Sequence, residues 1–208
     1  YILEPSGLTW QQLKETGYLQ GQMEYRKHEK KGFSTPTKKV ELYSTIFEGW
    51  GYDPLPQYLE VPESPVSKPE MVEQYPYILI TGVRTPVFYH SELRMIPWLR
   101  EIRPDPIVEI HPRAAGEHGI NDGDWVFIES PRGRIKQRAR LTTGIDPGVV
   151  AAEHGWWFPE VKEPGHGWDE SNINILTDND PAGCDKAMGS TNLRVLMCKI
   201  YAVDKDGQ

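Results

Sequence analysis

Apolar residues in this chain come in short clusters separated by turn chemistry, and the clusters become regular after residue 75. Tyr77–Thr81 predicts a first buried strand, ended by Gly82 and followed by a loop over Val83–His90. Ser91 is placed to cap a short helix running through Arg100, and Ile107–Ile110 predicts the next strand. Pro112, Ala114 and Ala115 then predict a short helix that Gly119 stops. Asn121-Asp122-Gly123 turns the chain into an apolar run, Trp125–Ile128, and Ser130-Pro131-Arg132-Gly133 turns it again. The next strand alternates: Arg132, Arg134, Lys136, Arg138 and Arg140 share one face, while Ile135, Ala139 and Leu141 share the other. A turn at Asp146-Pro147-Gly148 leads to a buried strand over Gly148–Ala152 that stops at His154-Gly155-Trp156-Trp157. After a loop rich in Gly, Pro and Asn from Phe158 to Ser190, Asn192–Val203 supplies the last strand. A loop that long in a compact domain is read as a binding loop or lid. Short strands with few helices point to a closed barrel or a sandwich.

The part before residue 75 is different in character. Ser6 or Thr9 caps a predicted helix from Trp10 to Thr16, ended by Gly17. The basic run Arg26–Lys31 reads as a solvated loop, and Val40–Tyr43 as a strand or extended arm. Pro54, Pro56, Pro62, Pro65 and Pro69 then block both helix and ladder, which predicts an extended linker held against the surface. This gives an N-terminal arm over 1–52, a proline-rich linker over 53–74 and a barrel over 75–208.

Composition narrows the function classes. The 208 residues carry 23 basic and 30 acidic side chains, a formal net charge of −7, which argues against a nucleic-acid surface. The basic stripe from Arg132 to Arg140 lacks interleaved aromatics, so it reads as a solvent face or a contact for an acidic neighbouring domain. No apolar run approaches the roughly 20 residues of a membrane helix, so direct insertion is not expected. Cys184 and Cys198 have no zinc spacing, and Cys198 in an apolar strand is expected as a buried free thiol. Nothing resembles a nucleophile elbow or a phosphate loop, so no catalytic residue and no metal ligand is assigned. Beginning on Tyr1, the chain is read as an excised domain or the tail of a longer polypeptide, which leaves its compartment open.

Four clusters after predicted strands carry candidate chemistry. Thr81-Gly82-Val83-Arg84 with His90-Ser91 offers a close backbone approach, a hydroxyl and a guanidinium for phosphate, or an ordinary turn. His154-Gly155-Trp156-Trp157 offers ring stacking and one polar donor to a flat heterocycle, or both tryptophans are core and His154 is capped by a backbone carbonyl. In Ser171–Thr177 an asparagine amide, Asn174 first, can read a ring edge, with Asn172 as a turn residue. Arg194, just before the last strand, adds a further cation or belongs to a plain strand entry.

The order and wording of these segments, HP.AA...GI.DGDWV.IES..G followed by HGWW.PE and N.LT, resembles the C-terminal dinucleotide-binding domain of molybdopterin oxidoreductases. That group is related to dimethyl sulfoxide reductase, formate dehydrogenase, and polysulfide or thiosulfate reductase. The resemblance runs from Gly32 to Ala202. It departs from the family's phrases at Lys38, where TPSGK has glycine, and at Arg84, one residue later than in TGR. The wording is nearest to polysulfide or thiosulfate reductases, and acetylene hydratase-like members read similarly.

The resemblance implies a mainly β fold, a six-stranded double-psi β-barrel with a few short helices and an extended N-terminal arm. It implies a cofactor, molybdopterin guanine dinucleotide carrying molybdenum or tungsten in the full enzyme, contacted by Thr81, Gly82, Arg84, His90, Ser91, His154, Trp156, Asn174 and Arg194. The implied function is to hold part of that cofactor and cap the catalytic subunit of an oxidoreductase, without turnover in isolation. The implied partners are the preceding domains of the same subunit and an iron–sulfur electron-transfer subunit, in the cytoplasm or periplasm of a prokaryote. The alternative is a stand-alone double-psi barrel serving as a protein-interaction adaptor, for which the long loop Phe158–Ser190 has little use.

Overall fold

In a computed structural model the described residues are 3–19, 21, 23–162, 164–185 and 187–203. The chain divides into two compact units, Tyr1–Gln57 and Tyr58–Gln208. In the first, helix α1 (Trp10–Thr16) is capped by Thr9, whose side chain accepts from the Gln12 backbone N–H while Gln12 returns a bond to Thr9. This capping box, with Gly17 in the left-handed conformation behind it, resolves the choice between Ser6 and Thr9. The basic run forms a short helix, α2 (Lys27–Lys31), rather than a loop, with Arg26–Glu29 and Lys31–Glu24 ion pairs at its edge. Lys38 takes a φ of 62°, so the position where the family phrase has glycine does need a left-handed backbone. Val40–Tyr43 carries no strand; Ser44 instead caps helix α3 (Thr45–Gly49). No described residue before position 58 is buried.

The second unit is a closed six-stranded barrel with strand order β1-β5-β2-β4-β3-β6. Its strands are β1 (Tyr77–Val83), β2 (Ile107–Ile110), β3 (Trp125–Ser130), β4 (Gly133–Leu141), β5 (Val149–Glu153) and β6 (Leu196–Ala202). β1 pairs parallel with β5, and β2 with β4; the other four pairings are antiparallel. Alternate residues of every strand fill the interior, among them Leu79, Val108, Ile110, Ile128, Ile135 and Leu196. Cys198 is buried there as a free thiol, and burial pushes its pKa up. β1 runs through Gly82 to Val83 instead of stopping at Gly82, with a register shift between Ile80 and Val83. Helix α4 covers Pro97–Ile102, so Ser91 is not its cap; Ile96 stands there without a side-chain bond. Helix α5 (Pro112–Glu117) is where the alanines predicted it, with Ala114 and Ala115 buried.

Two further segments take their character from the tertiary structure. Within Phe158–Ser190, helix α6 (Trp168–Ser171) and the 3-10 turn Ile173–Ile175, with Leu176 behind it, bury Ser171, Ile173 and Leu176 against the barrel. Three apolar or small residues in a polar context were enough. The basic stripe stays partly exposed, as a solvent face would, but it is not a row of free cations. Its cations pair within the unit: Arg132 with Glu63, Lys136 with Glu170, Arg138 with Asp105 and Arg140 with Glu109. Arg134 lies over the Phe127 ring, 4.5 Å from its centroid. The acidic partners come from distant segments, so periodicity could not show them.

Residues 58–76 belong to the barrel unit through Glu63, which is 6% exposed. One carboxylate oxygen accepts from the Met197 backbone N–H at 2.8 Å, and both face the Arg132 guanidinium. Glu63→Ala would strand a buried N–H and a partly buried cation, at roughly 1–3 kcal/mol. Leu196→Ala, which empties a core position, is expected to cost about 2–5 kcal/mol. Urea denaturation of the chain should show both losses, with Leu196→Ala the larger.

Candidate functional site

The register fixes which loops meet. β1 and β5 run parallel with Val83 abreast of Glu153, so the segments after both strands open at one end of the barrel. β6 is antiparallel to β1 and begins beside Leu79, and β3 is antiparallel to β6. The start of β6 and the β3–β4 turn therefore lie at the same end. Thr81–Ser91, His154–Trp157, Ser171–Thr177 and Arg194, far apart in sequence, share that pole. They do not form one pocket. A cleft of about 260 Å³ is lined by Arg84, Thr85, Phe88, His90, Arg94 and His154. A second, about 830 Å³, is lined by Arg132, Trp168, Asn174, Thr177, Thr191 and Leu193.

The first cleft is built on a close crossing of two loops. Gly155 has φ +69°, and a Cβ there would stand 3.2 Å from the His90 carbonyl carbon and the Ser91 nitrogen. Only glycine permits both the backbone angle and the approach. The Trp157 indole N–H donates to the Ser91 carbonyl at 2.6 Å, and the His90 and His154 rings face each other with Nδ1 and Nε2 3.0 Å apart. His90 itself has φ 51°, uncommon for a side-chain-bearing residue. Ser91 thus contributes its backbone to the crossing. Thr81 is half-buried, and Gly82 and Arg84 are exposed at the rim.

Beneath the rim lies a buried charged group. Arg94, 1% exposed, is held between rings, its guanidinium carbon 4.7 Å from the Phe88 centroid and 4.6 Å from that of Trp156. It donates to the His90 carbonyl at 2.5 Å and lies 3.8 Å from Glu153. Burial brings Arg94 down to about 10, partly offset by Glu153, and it stays charged at neutral pH. Burial also pushes the Glu153 carboxyl up, against hydrogen bonds from the Thr85 hydroxyl and the Ile107 N–H. Trp156, expected as a stacking ring, is 0% exposed, so its faces are closed to a ligand in this state. Arg94 Nε and Trp156 Nε1 are buried without a hydrogen-bond partner among the described residues. Arg84 and Arg94 line the cleft beside Glu153, with Arg103 acting on Glu153 and Arg100, paired with Glu160, acting on Arg94.

This donor-rich, cationic pole with unpaired buried N–H groups fits a phosphate-bearing ligand with hydrogen-bonding ring edges. Asn174 is exposed in the second cleft, its backbone N–H donating to the Asn172 side chain at 3.1 Å. Asn172 also donates from its amide to the Trp156 carbonyl at 3.3 Å, which ties the two loops together. Arg194 is exposed beside the start of β6.

Reading the sequence missed four side chains: Thr85, Arg94, Gln137 and Glu153. Gln137 is fully buried; its amide donates to the Glu153 carbonyl at 2.9 Å and the Ser171 carbonyl at 3.1 Å, and accepts from the Glu153 N–H at 3.0 Å. The signal was present, since position 137 falls between Ile135 and Ala139 on the inward face of β4. Arg94 and Glu153 gave no comparable mark, because their pairing joins separate loops.

His154 has its pKa lowered, first by burial and then by Arg84. The unfolded chain therefore takes up a proton before the folded one does. Stability is full above the ordinary value of 6.5 and declines as pH falls below it. In melts from pH 7.5 to 5.5, the chain should lose more Tm than His154→Asn; equal slopes would mean that His154 does not carry the effect.

Comparison with known proteins agrees with this geometry. Residues 77–193 match the family described as molydopterin dinucleotide binding domain. A dopamine dehydroxylase of Eggerthella lenta is 44% identical over 176 residues, covering 83% of this chain and 17% of the relative. Acetylene hydratase of Syntrophotalea acetylenica is 34% identical over 208 residues, covering 97% and 28%. The solved acetylene hydratase structure from Pelobacter acetylenicus superposes with a TM-score of 0.82 at 33% identity, covering 96% of this chain and 28% of that one. The chain thus spans between 17% and 28% of the length of these relatives. A barrel of this topology with a cationic pole, matched over most of its length, belongs to the molybdopterin dinucleotide-binding domain family, the cofactor-holding domain of dimethyl sulfoxide reductase-type enzymes.

Proposed function

We propose that this domain holds the pterin and diphosphate portion of molybdopterin guanine dinucleotide and caps the catalytic subunit of an oxidoreductase. The observation that carries the reading is the convergence of Thr81–Arg84, His90, His154, Asn174 and Arg194 on one barrel pole, with Arg84, His90 and His154 in one cleft and Asn174 in its neighbour. Arg84 and the Thr81–Gly82 segment would meet phosphate oxygens, His154 and His90 would add donors, and Asn174 would read a ring edge from the neighbouring cleft. Trp156 would serve from behind, shaping the Arg94 pocket. The cofactor, when bound, supplies metal-centred chemistry; these residues bind it, orient it and keep water from its buried edge.

Among the described residues no group of His, Cys, Asp and Glu could hold a metal ion. By resemblance to the family, the metal ligand would come from an earlier domain of the parent, whose residues preceding this domain we place in the same subunit. Residues 1–52 would be the tail of that catalytic domain and 53–74 its link to the barrel, with the exposed Trp10, Tyr18, Leu42, Tyr43 and Trp50 covered by it. An iron–sulfur electron-transfer subunit would be a further partner. The relatives are named for dehydroxylation, acetylene hydration and sulfoxide reduction. Such varied reactions on a shared domain support a role toward the cofactor rather than the substrate. A stand-alone adaptor is not favoured, given the family match.

Two outcomes follow. The 208-residue chain, purified alone, should carry no stoichiometric molybdenum or tungsten by elemental analysis. In the full-length enzyme, Asn174→Ala should change stability by only about ±0.5 kcal/mol, as at an ordinary surface site. Ring atoms it leaves unpaired would cost about 1–3 kcal/mol, roughly a five- to hundred-fold loss of cofactor affinity. Pterin content after gel filtration at dilution measures that loss; full occupancy would remove Asn174 from the site.

A further inference from the structure

We infer that Gln137, with Glu153, is a positioning element that sets the two cofactor-facing loops against each other, an assignment that rests on the cofactor-binding reading above. Its place in the fold makes this specific. Gln137 sits on the inward face of β4 at the middle of the strand, between Ile135 and Ala139. All three hydrogen bonds it makes go to backbone groups of other segments. Two close a ring with Glu153, the last residue of β5, immediately before His154. The third reaches the Ser171 carbonyl at the end of α6, immediately before the Asn172–Thr177 loop. One fully buried amide thus joins the base of the His154 loop to the base of the Asn174 loop.

The bonds are mutually dependent. An amide in an apolar interior holds one orientation because its donor and acceptor sides have different partners. Here the acceptor side takes the Glu153 N–H, and the donor side takes the Glu153 and Ser171 carbonyls. The Ser171 hydroxyl donates to the Lys136 carbonyl at 2.7 Å, so the neighbouring residue of β4 holds the same loop base. On the other side, the Glu153 carboxylate takes the Thr85 hydroxyl at 2.8 Å and faces Arg94, which grips the His90 carbonyl. The chain of contacts runs from the Asn174 loop through Ser171, Gln137, Glu153 and Arg94 to His90, spanning both clefts inside the barrel end. A ligand bridging those clefts needs their separation fixed. Gln137 touches no ligand in this arrangement; it acts through the loops it anchors.

The test uses the full-length, cofactor-loaded enzyme with four variants. Gln137→Met keeps the volume and removes all three bonds; Gln137→Glu keeps an acceptor for the Glu153 N–H and loses both donors. Ile128→Val is a core control of mild destabilisation, and Arg84→Ala removes a rim contact without touching the loop bases. Hydrogen exchange reads Phe158, just past the His154 loop and bonded to the His166 carbonyl, and Ile175 and Leu176, bonded within the Asn174 loop. Cofactor loss after dilution is followed by pterin fluorescence. Both Gln137 variants should speed exchange in both loops and release cofactor about tenfold faster, the scale known for groups that orient contact residues. The β3 amides should stay as protected as in Ile128→Val. Loosening of the whole barrel, of one loop only, or cofactor retention equal to that of Ile128→Val would overturn the assignment. Arg84→Ala should lose cofactor with both loops still protected. If it retains cofactor, the contact assigned to Arg84 fails, while the exchange data still decide on Gln137. Should Gln137→Met not fold, Gln137→Glu carries the comparison.

Discussion

Parallel pairing of β1 with β5 is the constraint on which the rest of the molecule depends. Two strands that run together and end together, Val83 abreast of Glu153, deliver their following loops to the same place. Those loops are some 70 positions apart in sequence and have no local reason to meet. Barrel closure through β1 and β6 brings the entry to β6 to the same pole, and the β3–β4 turn follows from the antiparallel pairing of β3 with β6. A sandwich built from the same strands would leave edges open and would distribute these loops differently.

Gathering loops in this way concentrates charge, and the pole manages it in two layers. At the rim, Arg84 and the paired rings of His90 and His154 stay in reach of solvent and of a ligand. Below them Arg94 is desolvated, and its cost is met by the faces of Phe88 and Trp156, the His90 carbonyl and the nearby Glu153 carboxylate. Glu153 is in turn hydrogen-bonded by Thr85 and Ile107, on the loop after β1 and at the start of β2. The buried charges therefore tie the loops to the barrel wall, while the rim charges remain for binding. A flexible pole with the same residues would present the same donors without fixing their separation.

Membership in the molybdopterin dinucleotide-binding family gives this division of labour a purpose. The pole offers cations, amides and hydroxyls along its two clefts. In the first unit the described apolar side chains are all exposed or only half-buried. Relatives with unlike named reactions share the domain, which suits a part whose task is the cofactor.

Much of the fold was determined by the sequence itself, and the reasons are local. Ile107–Ile110, the alanines behind Pro112, the Thr9 capping box and the inward alternation of Ile135 and Ala139 depend on near neighbours in the chain. Candidate residues such as Arg84, His154 and Asn174 were also visible, because polar groups just past a strand stand out against apolar runs, and the family wording supported their order. The strand pattern left a closed barrel or a sandwich, and the family resemblance chose the barrel; the fate of the basic stripe and the burial of Trp156 were not legible, since each depends on which distant segment arrives: Glu63, Glu170, Asp105 and Glu109 for the stripe, Arg94 and Phe88 for the tryptophan. Gln137 lies between the two cases. Periodicity turned it inward, but only the tertiary pairing of β4 with β2, of β2 with β5, and the packing of α6 on β4 supplied the carbonyls that make a buried amide stable and useful.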